Sequence, residues 1–335
     1  MSKQDFSFIT STNNDSFSKL KGLDLKELLN QIVSFSLTYR DKLNLPKKVF
    51  FGTEIEYEDL NLDLVTKFIS QNCPRWDSKF DATVRSGGEV ASKILSDNII
   101  CWDELQTTCQ FLQSKNAFTK GNAGGHIHIS PSILGVNKEN WLQFIKTYIV
   151  YESVLFRFGY GEEIVGRKEL NEYARPIADS LFKSLKELES SKDVIDILFA
   201  LPTSNKYQAI NFKNIDYYSV NEFKKNNTIE YRFPNGTVQE IIWQNNINAL
   251  TKLMLAPSKK LIDIEYIDYK LKNERISSKN DFYRYNIVDL KNALEFVDMI
   301  FDNNLDKIYF LKQYIKDFAD IYNNGEDTKT KILKR

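Results

Sequence analysis

The chain has 335 residues, and its 45 lysines and arginines balance 45 aspartates and glutamates, so the net charge is zero. At 42% hydrophobic and 27% charged residues it can bury a substantial core, which excludes wholesale disorder. Without a basic surplus, nucleic acid is not expected as its main partner.

Residues 1–22 are polar and read as a loose arm. From Asp24 to Leu43 the apolar spacing (Leu25, Leu28, Leu29, Ile32, Val33, Phe35, Leu37) predicts an amphipathic helix, ended by Pro46. KKVFFGTEIEYED reads as a strand and LNLDLVTKFISQN as a short helix; residues 79–95 read as two strands around a Ser86-Gly87-Gly88 turn. A helix from Trp102 to Lys115 precedes a glycine turn and the strand GGHIHIS. Asn137 to Phe158 is predicted as a long helix, stopped by Gly159-Tyr160-Gly161, and a charged loop fills 159–176. A further helix runs from Ala178 to Leu201, broken near Ser190-Ser191. Strands follow at YQAINF and TIEYRFP, the second closed by an Asn235-Gly236 turn. Helices are predicted at Val238–Leu255, Leu261–Leu271, Val288–Asn303 and Leu305–Tyr322, before a charged tail.

The class is therefore α+β, with three regions: an arm and helix (1–46), a central strand-bearing region (47–256) and a helical region (257–335) packed on it. Cys73, Cys101 and Cys109 are odd in number and lack metal-type spacing, so free thiols in a reducing compartment are expected. The N-terminal stretch has no apolar signal core, and no run approaches the ~18 apolar residues of a membrane span. A cytoplasmic location without membrane association is the expectation.

The polar positions of the strands carry the chemistry. In FFGTEIEY, Glu54 and Glu56 are two apart and project from one sheet face, while Phe51, Thr53, Ile55 and Tyr57 take the other. In TIEYRFP, Thr228, Glu230 and Arg232 share a face opposite Ile229, Tyr231 and Phe233. His126 and His128, the only histidines in the chain, share a face of GGHIHIS. Glu89 opens another strand, with Asp81 eight residues earlier. Each strand taken alone fits an ordinary wetted face, Glu230-x-Arg232 a surface ion pair, and Asp81 a turn residue. Brought together, carboxylates and imidazoles make a hard, oxygen-rich site for divalent cations, without which the like charges would repel.

In order, Gly52-Thr53-Glu54-Ile55-Glu56, Asp81 with Gly88-Glu89, Gly124-Gly125-His126-Ile127-His128, and Thr228-Ile229-Glu230-Tyr231-Arg232-Phe233 with Asn235-Gly236-Thr237 resemble the amidoligase family. That family lies within the glutamine synthetase and glutamate–cysteine ligase superfamily, and the resemblance covers residues 48–250. It implies a curved antiparallel sheet of glutamine synthetase-like fold, backed by helices, with 47–256 as the catalytic domain. It implies ATP-dependent amide-bond formation through an acyl phosphate, with two Mg²⁺ or Mn²⁺ ions. The carboxylate and amine substrates would be amino acids, peptides or similar compounds, and a homo-oligomer is in keeping with the superfamily.

Carried over by position, the resemblance gives Glu56, Asp81 and Glu89 one ion and Glu54, His126 and Glu230 the other. Glu56, Glu230 and Arg232 would be catalytic, with Arg232 on the transferring phosphoryl group. His128 and Arg175 would contact nucleotide or phosphate, and Arg85 and Arg167 the substrate. The chain departs from the family's Asp-Gly-Ser turn with Asp81-Ala82-Thr83, and has Lys93 where proline often follows the serine. Two alternatives stay open: a guanidino-type phosphotransferase on the same fold, and a catalytically dead nucleotide-binding relative.

Overall fold

The alternating segment Phe50–Tyr57 (β1) lies near the middle of a curved, open antiparallel sheet. The structure is a computed structural model that describes residues 32–316, apart from 120, 164–165, 169, 203–204, 221–226 and 275–286. In chain order its elements are β1, α1 (Leu62–Asn72), β2 (Trp76–Lys79), β3 (Gly88–Ser92), β4 (Leu95–Ser96), α2 (Ile99–Ser114), β5 (Gly125–Ile129), α3 (Lys138–Gly159), α4 (Leu170–Tyr173), α5 (Ala178–Lys183), α6 (Leu185–Ser190), α7 (Val194–Ala200), β6 (Ile210–Asn211), β7 (Ile229–Tyr231), α8 (Glu240–Leu255), α9 (Ile264–Asn273), α10 (Ile287–Ile300) and α11 (Asn304–Ile315). The strand order is β2-β3-β1-β5-β7-β6, with β4 also paired to β1.

The two faces of the sheet differ as the alternation requires. Ile55, Tyr57, Ile127, Ile129, Ile229 and Tyr231 are wholly buried on one face. The Phe51 ring stacks on Trp102 of α2 at 5.1 Å, and Phe233, just past β7, stacks on Phe156 of α3 at 5.3 Å. Gly125 sits so close to Trp243 of α8 that a Cβ there would lie 2.7 Å from the indole. Helices α2, α3 and α8 thus close the apolar face, and truncating a residue such as Ile127 to alanine would cost about 2–5 kcal/mol. Helices α9 and α10 pack on α3, and α11 packs on α3, α8 and α10. No described helix is long and apolar enough to cross a membrane.

Three sequence expectations need correction. The predicted helix at 24–43 ends at residue 34 in its described part; the arm and the start of that helix lie outside the described residues. Side chains distant in sequence take the backbone donors a longer helix would use. Arg40 N–H donates to Gln244, and Leu43 and Leu45 N–H donate to the two oxygens of Asp97 at 2.8 Å. The first strand of the 79–95 pair lies earlier, at Trp76–Lys79, and residues 80–87 form a loop. There Asp81 accepts from the Thr83 N–H and hydroxyl, and Ser86 takes a left-handed φ of 48°. The predicted helix 178–201 is three helices, broken at Ser184 as well as at Ser191.

Helix α3 carries a structural acid. Tyr151 leaves helical geometry (φ −114°, ψ 16°), and the buried Glu152 next to it accepts from the N–H groups of Ile177 and Ala178 at 2.7 and 3.0 Å and from Tyr148 Oη. Its carboxylate caps α5, which no local side chain caps. Burial pushes its pKa up to about 7 despite those three donors.

Candidate functional site: an acidic face with two carboxylate clusters

Strand register assembles the site on the face opposite the apolar core. Lys79 of β2 stands across from Glu89 of β3, and Glu89 across from Glu56 of β1. Glu54 of β1 stands across from His126 of β5. His128 of β5 faces Glu230 of β7, which faces Asn211 of β6. Residues directly opposite across antiparallel strands share a face, so this pairing alone collects four glutamates and both histidines. The loop 80–87 adds Asp81. It is tied down by Asp59 N–H to the Arg85 carbonyl and Leu60 N–H to the Ser86 carbonyl, and by Arg85 N–H to the buried Glu58.

Two groups converge closely enough to share a cation. Glu56, Asp81 and Glu89 each offer an oxygen within 4.8 Å of the others, and Glu54, His128 and Glu230 offer donor atoms with the same mutual spacing. The first group has the membership expected from the sequence. In the second the imidazole is His128. His126 lies between the groups: Nδ1 is 2.8 Å from Glu54 and 3.8 Å from Glu230, and Nε2 is 3.5 Å from Glu56. His126 thus contacts both expected partners while also touching the other cluster.

Electrostatics sets the clusters apart. Burial raises the pKa of Glu54, but hydrogen bonds and charge from His126 and His128 outweigh it and hold the carboxyl far below the usual range. Burial disfavours a charged His128, yet Glu54 and Glu230 raise its pKa. Burial likewise opposes ionisation of Glu230, and the two histidines, Arg232 and Asn211 reverse it, leaving its pKa lowered. Glu89 goes the other way: burial and the charge of Glu54 lift it to about 7, although Lys79 Nζ is 2.9 Å away. With its ionised form disfavoured by burial and by the charge of Glu54, Glu89 is short of positive charge even with Lys79 beside it. Hard oxygen donors in that state fit Mg²⁺ or Mn²⁺.

Arg232 Nη1 donates to Glu230, its Nε donates to the Tyr173 carbonyl at 3.1 Å, and its guanidinium lies 6.0 Å from the centre of the Tyr207 ring. Arg175 is exposed, and its backbone pairs with the segment of Tyr207 and Ala209. Arg85 is exposed and ion-paired with Asp59 at 2.8 Å. Arg167 is buried, with its guanidinium on the carbonyls of Pro234 and Arg232 at 2.6 and 3.0 Å. The structure therefore gathers Glu54, Glu56, Asp81, Glu89, His126, His128, Glu230 and Arg232, and places Arg85 and Arg167 on protein partners.

Sequence reasoning missed three contributors. Lys79 pairs with Glu89, Asn211 Nδ2 donates to Glu230 at 2.7 Å, and the Gly124 N–H donates to Glu56 at 2.5 Å. The first two lie on strands and follow from register once the pairing is known. A backbone donor leaves no side-chain signal.

A model of the family described as "Putative amidoligase enzyme" matches residues 70–254, more than half of the chain. No curated protein matches it. The matched segment contains Asp81, Glu89, His126, His128, Glu230 and Arg232, and β1 supplies Glu54 and Glu56 from just before it. The chain belongs to the amidoligase family, and that family implies an enzyme that forms amide bonds.

Proposed function

We propose that the protein is an ATP-dependent carboxylate–amine ligase of glutamine synthetase-like fold, working on two divalent cations through an acyl phosphate. The observation that carries this reading is the pair of carboxylate clusters facing one side of the sheet, with Arg232 at the edge of one of them. Glu56, Asp81 and Glu89 would hold one ion; Glu54, Glu230 and an imidazole, His128 by proximity, would hold the other. When bound, the ions would supply positive charge to the phosphates and to the substrate carboxylate.

In the reaction the substrate carboxylate attacks the γ-phosphorus of ATP and ADP leaves. The amine then attacks the acyl carbon and phosphate leaves. Phosphoryl transfer asks a protein mainly for positioning and for cationic groups aimed at the moving phosphoryl oxygens. Arg232 provides such a group as a planar fork, oriented by Glu230 and the Tyr173 carbonyl. Asn211 fixes Glu230 from the far side. His126 bridges the clusters and fixes the orientation of Glu54.

A phosphate-release screen with Mg-ATP and paired panels of amines and carboxylates tests the proposal. It expects release that needs both partners, with an amide in the product by mass spectrometry. A stable phosphorylated compound without free phosphate would identify a phosphotransferase instead.

A further inference from the structure

Arg167 takes no part in the clusters, yet it braces the entry to β5 and the exit of β7, two of the four strands that carry them. Its backbone N–H donates to Asn235 Oδ1 at 2.8 Å, and its guanidinium reaches two carbonyls, Pro234 (2.6 Å) and Arg232 (3.0 Å). The Pro234 carbonyl also accepts from Gly125 N–H at 3.0 Å, so Arg167 and the start of β5 share one acceptor. The guanidinium lies against the α-carbon of Gly124: a Cβ there would stand 2.9 Å from Arg167 Cζ and 3.0–3.1 Å from its terminal nitrogens. The N–H of Gly124 grips Glu56 Oε2, and the carbonyl of Gly124 accepts from Glu56 N–H. An unbroken chain of contacts thus runs from Arg167 through Gly124 to Glu56. A second runs from Arg167 to the backbone of Arg232, at the exit of β7.

We propose that Arg167 is a positioning residue: its two-pronged grip on the Arg232 and Pro234 carbonyls presses Gly124 into the place where its N–H orients Glu56 for the cation of the Glu56–Asp81–Glu89 cluster. This rests on the metal-dependent reading above. The fork is required because one planar group serves two carbonyls and lies where a Cβ on Gly124 would stand 2.9 Å from its central carbon. A lysine offers one point charge and no plane. Groups that hold a ligand in position typically contribute 10- to 100-fold in metal affinity.

The test is Mn²⁺ titration of the metal-stripped full chain, without nucleotide, followed by electron paramagnetic resonance. Wild type should bind two ions, and Glu56→Gln identifies the one that belongs to its cluster. Arg167→Met, one contact further out than the Gly124 N–H that bonds Glu56, should weaken that ion up to about 10-fold, and Arg167→Lys should weaken it to a smaller but measurable extent. Glu152→Gln, which alters a buried acid capping α5, serves as a stability control whose Mn²⁺ binding should match wild type whatever its melting temperature. Folded Arg167→Met with wild-type affinity would overturn the proposal. Should that variant not fold, wild-type affinity in Arg167→Lys would overturn it equally. An equal affinity loss in Glu152→Gln would reduce Arg167 to a general structural role. A wild-type chain that binds no Mn²⁺ would instead bring down the metal reading itself, which separates the two failures.

Discussion

Glu89→Gln should make the metal-free protein more stable and should lose most or all of that advantage when the metal is present. Glu89 is buried opposite Glu56, and burial together with the Glu54 charge lifts its pKa from 4.5 to about 7. A carboxyl raised in the folded state imposes no cost below pH 4.5, where both states are protonated. As pH rises toward 7 the unfolded chain ionises first, and folding stability falls until the folded pKa is passed. At 1.36 kcal/mol per unit the full cost is about 3 kcal/mol above pH 7. Glutamine removes it, and that cost is already net of the ion pair to the half-exposed Lys79, which holds the Glu89 pKa down. Urea unfolding in EDTA at pH 5 and pH 8 measures this: Glu89→Gln should gain about 3 kcal/mol on wild type at pH 8 and little at pH 5. Mn²⁺ at about a hundredfold its Kd adds about 2.7 kcal/mol to a protein with an intact site, so it should narrow or reverse the order. A variant less stable than wild type in EDTA at pH 8, or one stabilised by Mn²⁺ as much as wild type, would refute the reasoning.

Glu54→Ala and Glu230→Ala should each abolish ligation while leaving a cooperative thermal transition in EDTA, because neither carboxylate packs in the apolar core; wild-type turnover in either would remove that residue from the site. Arg232→Lys should lower kcat about 100-fold, since a point charge replaces a fork; steady-state kinetics with an unchanged kcat would exclude Arg232 from phosphoryl transfer. Glu152, raised to about 7 by burial, should likewise lose stability between pH 4.5 and 7. Glu152→Gln should flatten that part of the stability profile in urea titrations, and an unaltered slope would mean the carboxyl is not the titrating group.

Much of the site is legible in the sequence because strand alternation has a period of two. Glu54 with Glu56, and His126 with His128, declare their shared faces without any knowledge of neighbours. Which imidazole joins which carboxylates is not legible. It depends on register, and β5 is set so that His126 lies opposite Glu54 while His128 lies opposite Glu230. The four-residue strand β2 escapes because WDSK has no alternation to mark it, and Lys79 is hidden with it. The helix drawn from Asp24 to Leu43 has the right apolar spacing, but Asp97 and Gln244 capture backbone donors from 54 and 204 residues away. Arg167 looks like an exposed loop charge because its partners are backbone carbonyls, which every residue carries.

Two cations are proposed to sit on this sheet face, between the side chains named. Anomalous diffraction from crystals soaked in Mn²⁺ tests this most directly. Two peaks are expected, one among Glu56, Asp81 and Glu89 and one among Glu54, His128 and Glu230. Crystals diffracting well with no peak at either cluster, or with manganese bound only elsewhere, would contradict it.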